Sequence, residues 1–178
     1  MATLRGGAEP GITQLWIKGD AMELQQTLAA RLRTSLAYFQ GTASAFSEED
    51  SEFAPDPAMF TVATHVAHTA DSVDWFVEGA FGKGWDLDFE ALEARIRKVT
   101  SLGEANEWLE RSFARAVRTV EAATSDELLA PIPDERMMKG MPREGVVNGI
   151  VDHTAHHRGS LAVYARALGR VPPMPYGG

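Results

Sequence analysis

The sequence contains no cysteine. That one absence excludes disulfides, thiolate metal ligands and a cysteine nucleophile together, leaving nitrogen and oxygen as the protein donors available to a metal. Long apolar runs are missing too: nothing approaches the roughly 20 residues of a membrane span. The start, MATLRGGAEPG, lacks the apolar core of a signal peptide. The expected location is therefore cytoplasmic, with no membrane partner. Positive charge is scarce, with 17 Lys and Arg against 25 Asp and Glu, a net charge of -8. Such a field repels phosphate, so nucleic acid is not an expected partner. No segment alternates convincingly as a strand, and no internal repeat is visible.

What is present is helical periodicity. At 178 residues the chain is expected to form a single domain, 1–178, long enough to bury roughly 70% of its unfolded surface. Residues 1–11 are Gly-rich and patternless, the signature of a mobile arm. The spacing of Leu24, Leu28, Leu32, Leu36 and Phe39 predicts a first long helix over 20–42, capped by Asp20 after an interruption at Gly19. A second is expected over 58–81, ending at Gly82 and Gly84, and a short one over 89–99. Ser101 and Glu104 match a capping box and open a third long helix to about Ala123. The connection 130–142 follows, its Met137–Met141 segment expected over a pocket mouth. A fourth long helix, 143–168, stops at Gly169, and the tail 170–178 is expected to cross the bundle. Four amphipathic helices predict an all-α, four-helix bundle.

The five histidines fall in two short windows: His65 and His68 in the second helix, and His153, His156 and His157 within DHTAHHRG in the last. Residues four apart stand one turn above each other, so His153 and His157 can aim at one point. A third imidazole from a facing helix would give a divalent metal three nitrogens and an open position, the layout of a catalytic rather than a closed structural site. Both histidines continue a core-facing row, where a polar ring needs a metal or a hydrogen-bond partner. In the second helix the stripe Met59, Val62, Val66, Ala70, Val73 and Val77 lies nearly opposite His68. A helix with two faces to bury is expected between neighbours, either other helices or a second subunit, so a homodimer is expected.

Two segments carry a family resemblance: HTADSVDWF, from His68 to Phe76, and DHTAHHRGSLAVYARALGRVPP, from Asp152 to Pro173. In these and in its helix order the chain resembles the DinB-like, or YfiT-like, superfamily of metal-dependent enzymes. The resemblance implies a down-up-up-down bundle, often dimeric, with a divalent metal held by one histidine of the second helix and two of the last. Carried onto this chain, the ligands are His68, His153 and His157, with His65 the competitor to His68.

Such a ligand set suits zinc or nickel. A cation so held makes water acidic enough to act as a nucleophile near neutral pH, or accepts a substrate thiolate in its place. Asp71 and Asp152 are candidates to orient a ligand imidazole, His156 to relay a proton, and Arg158 to hold an anionic substrate group. The resemblance implies thiol-dependent transfer or isomerisation on a small-molecule substrate, using a low-molecular-weight thiol such as bacillithiol, mycothiol or glutathione. The alternatives are a metal-dependent hydrolase and a noncatalytic, stress-related dimer with a structural metal.

Overall fold

The computed structural model describes residues 12–176; the expected arm 1–11 and residues 177–178 lie outside them. In chain order the helices are α1 (Ile12–Ala43), α2 (Val62–Phe81), α3 (Phe89–Ile96), α4 (Leu102–Ala122), α5 (Ser125–Leu129) and α6 (Gly145–Ala167). No strand occurs among the described residues, only an isolated bridge between Pro131 and Pro142. The architecture is the all-α bundle that the periodicity predicts.

Polar side chains set most helix starts by accepting amides that the first turn leaves free. The Thr61 hydroxyl accepts from the Thr64 amide at 3.1 Å, Asp88 from Ala91 at 3.0 Å, and Ser101 from Glu104 at 3.2 Å. Thr124 and Glu127 form a full capping box for α5. Gly169, at φ 74°, takes the left-handed conformation that ends α6.

Two boundaries differ most from the sequence reading. Helix α1 begins at Ile12 and passes through Gly19 without a break, so Asp20 caps no restart. A glycine inside a helix costs only about 1 kcal/mol against alanine, too little to interrupt a long one. Helix α2 begins at Val62 rather than at residue 58, because Asp56–Met59 close a turn of their own and leave Met59 exposed.

Contacts between helices fix their directions. Arg33 meets Glu121 and Gln40 meets Glu110, so α1 and α4 run antiparallel. Asp74 meets Ser112 and Glu78 meets Arg115, so α4 and α2 are parallel. His65 packs on His157 and His68 on His153, which makes α2 and α6 antiparallel. Arg31 meets Asn148 and Tyr38 meets Arg158, so α6 and α1 are parallel. This is the down-up-up-down order, with each long helix beside two others.

The core is built from Leu28, Leu32 and Phe39 of α1, the valines of α2, Leu109 and Phe113 of α4, and Ile150, Leu161 and Tyr164 of α6. Burial of each such side chain contributes roughly 1.5–3 kcal/mol. No residue of α2 is exposed: α4 and α6 cover its core side, and α3 folds over part of the rest. The side carrying His68, Ser72 and Trp75 stays half-buried and lines a cavity beneath α3. A second cluster, around Trp85, Ile132 and Val146, takes in Met137 and Met138. Those methionines therefore pack on the far end of α2, and they do not line the cavity beside the histidines. The tail turns back towards α1, bringing Tyr176 edge-on to Tyr38 at 5.3 Å.

Candidate metal centre

The centre lies between the first half of α2 and the middle of α6. Because these helices are antiparallel, the spacing of three in His65 and His68 meets the spacing of four in His153 and His157. His68, His153 and His157 each offer a ligand atom, all within 4.8 Å of one another. The ring centroids stand 5.0 Å apart for His68 and His153, 4.6 Å for His68 and His157, and 4.5 Å for His153 and His157. Phe60 closes one side, its ring against both His65 and His68.

His65 has a different environment. Its Nε2 lies 3.2 Å from the Tyr164 hydroxyl and its Nδ1 lies 3.0 Å from His157 Nδ1. Tyr164 itself donates to the Phe60 carbonyl at 2.9 Å, beside the cap of α2. Its single proton is thereby committed, so it accepts from His65 Nε2–H. A neutral His65 then has a bare Nδ1, which accepts from His157 Nδ1–H. That assignment of hydrogens satisfies all three bonds and leaves the lone pair of His157 on Nε2. Both nitrogens of His65 are engaged, whereas His68 makes no hydrogen bond to the protein among the described residues. Tyr164, which lies two turns beyond His157 on the same stripe, thus separates the environments of the two α2 histidines.

Electrostatics keep the cluster neutral. Burial pushes the His65 and His153 imidazoles down to about 4, with neighbouring imidazoles adding to the effect. Burial and the same neighbours take His157 to about 2. His68 is pushed down by burial, opposed by the charge of Glu93. Neutral imidazoles with free lone pairs are the form that binds a metal. His153 Nδ1 is buried with no hydrogen-bond partner, an uncompensated polar atom of the kind a ligand would satisfy. The donor set therefore fits a borderline cation.

Beside the centre is a cavity of about 280 Å³. His68 and His153 form one wall; Phe60, Trp75 and Phe76 another; Phe89 and Leu92 of α3 the roof. The α3 contribution escaped sequence reasoning. Its signal is faint, an apolar Phe89, Leu92, Ile96 spacing in a helix of eight residues.

The other candidates lie elsewhere. Asp71 is buried and lines the cavity, but its carboxylate pairs with Arg95 and meets no imidazole. Burial pushes its carboxyl up against the pull of Arg95. Asp152 is exposed and orients no ligand ring among the described residues. His156 is exposed too and touches only the edge of His157, at 4.9 Å between rings. Arg158 faces α1, over the Tyr38 ring, away from the histidines. Asp152 and His156 each precede a histidine of the pair by one residue and Arg158 follows one, and a step of about 100° around the helix turns all three polar neighbours away from the site.

The family model of the DinB superfamily matches residues 31–161, from the second half of α1 to late α6, and the chain belongs to that superfamily. No curated protein matches the chain.

Proposed function

We propose that the protein holds a divalent metal ion through His68, His153 and His157 and acts as a metal-dependent enzyme on a small molecule whose apolar part fills the adjoining cavity. The observation that carries this reading is the convergence of three neutral imidazoles on one point beside an open, mostly apolar chamber. A structural metal would ask for a fourth protein ligand and a closed shell. The nearest candidate, His65, is occupied by Tyr164 and His157. When bound, the ion would supply a Lewis acid able to activate a thiol or a water near neutral pH. The chain's own residues do the rest. The Tyr164 and His65 pair holds His157 in one tautomer, while Phe60, Trp75 and Phe89 exclude water and orient the substrate.

Zinc or nickel suits the nitrogen donors, and the preferred reaction is transfer or isomerisation with a low-molecular-weight thiol; hydrolysis is the neighbouring alternative. The reading includes a homodimer, which the resemblance implies and which the two buried sides expected of α2 suggest. The test is metal analysis of the purified protein and of the H68A, H153A and H157A variants, followed by assays with bacillithiol, mycothiol and glutathione against apolar electrophiles, and with ester and amide substrates. Each variant should lose most of its bound metal. Full stoichiometry and unchanged affinity in all three would refute the centre. A metal-loaded protein inactive with every thiol but active on esters would favour the hydrolase.

A further inference from the structure

The opposite side of α6 carries a second cavity, of about 540 Å³, between α1 and α6. It shares no lining residue with the chamber beside the histidines. Its floor is Val151, Thr154 and Ala155, and along α1 it runs from Thr27 to Tyr38. Two guanidinium groups reach it. Arg31 donates to the Asn148 side-chain oxygen at 2.7 Å, and Arg158 lies 5.6 Å from the Tyr38 ring centroid. Neither has a carboxylate partner among the described residues, whereas Arg33, Arg95, Arg115, Arg136 and Arg170 all do. No Asp or Glu lines the cavity among the described residues, in a chain of net charge -8.

An independent observation comes from Thr154. It is 2% exposed, faces this cavity, and its hydroxyl has no hydrogen-bond partner, not even the carbonyl one turn back that a helical threonine ordinarily uses. We infer that the α1–α6 groove is a binding site for a small organic carboxylate with an apolar body. With Arg31 at Asn148 and Arg158 at Tyr38, the two arginines stand at opposite ends of the groove, and either one supplies charge-assisted bonds to the head group, while Thr154 and Ser35 add hydroxyls between them and the wall of Val151, Ala155 and the Tyr38 ring takes the hydrocarbon. From Arg31 to Tyr38 the groove extends about 10 Å along the helix, room for a medium-length chain.

Calorimetric titration with octanoate and with octanol tests this, with and without EDTA. Octanoate should bind the wild-type protein at least several-fold more tightly than octanol, equally well with EDTA present. The double variant R31Q/R158Q should weaken octanoate about ten-fold or more and leave octanol unchanged. T154V, which keeps the shape of the side chain, should weaken octanoate a few-fold in a protein whose melting is not lowered. Octanol binding as tightly as octanoate, no binding of either at millimolar concentration, or full octanoate affinity in the double variant would each overturn the inference. So would octanoate binding abolished by EDTA, which would place the carboxylate at the histidines.

Discussion

Helix α6 presents two unlike sides. Towards α2 it places His153 and His157 among further imidazoles, with burial keeping every ring short of its proton. Towards α1 it places Thr154 and Arg158 in a groove that Arg31 also lines. Desolvation explains the division. A buried imidazole can shed its proton and become a better metal donor, while a guanidinium cannot, and must stay where solvent or an anion reaches it. One helix can therefore serve a cation on one side and an anion on the other only because its two sides differ in burial.

The sharpest way to break that contrast is to remove the metal ligands. Chelation of a saturated sample should lower the melting temperature markedly, since a ligand at a thousand times its dissociation constant stabilises by about 4 kcal/mol. H153A should abolish that difference. Melting curves with zinc and with EDTA that coincide in the wild type would refute a metal linked to folding.

Next in size is the support of the centre. Y164F should lower metal affinity by about 10- to 100-fold without emptying the site, because it frees His65 and with it the tautomer of His157. Competition with a chromophoric chelator would measure it. An unchanged constant would show that the ring is held by packing alone.

Acid should act on the α2 side of α6. The imidazoles of His65, His68, His153 and His157 are all depressed below their ordinary 6.5, so protons bind the unfolded chain more readily. Each unit of depression corresponds to about 1.4 kcal/mol. Stability is therefore whole above pH 6.5 and is lost as pH falls towards 4, even without metal. Zinc should steepen the decline, since protons compete for the same lone pairs. A melting temperature of the chelated protein that stays flat from pH 7 to 4.5 would contradict this account of the cluster.

The smallest effects compare two glycines of α6. A Cβ on Gly149 would come 2.7 Å from Phe76, so G149A should cost about 1–3 kcal/mol and push Phe76 into the cavity. A Cβ on Gly159 meets nothing within 4 Å, and G159A should stabilise by about 0.5–1 kcal/mol. Denaturant midpoints for the pair would check both signs. Equal shifts would mean that Phe76 yields freely.

Local information was enough for the bundle and for half of the centre. Apolar spacing places the four long helices, Ser101 and Gly169 mark boundaries, and the spacing of four in His153 and His157 aims two imidazoles one way, all of it following from helix periodicity within a single segment. Tertiary structure decided which polar neighbours matter. The different surroundings of His65 and His68 come from Tyr164, which engages His65 and is 99 residues from it in sequence. Asp71 went to Arg95 because α3 folds back over α2, a contact no periodicity encodes. Likewise Arg31 and Arg158 belong to one groove only because α1 and α6 run side by side in the same direction. Periodicity says which side of a helix a residue occupies, and only the packing of one helix on another says what that side meets.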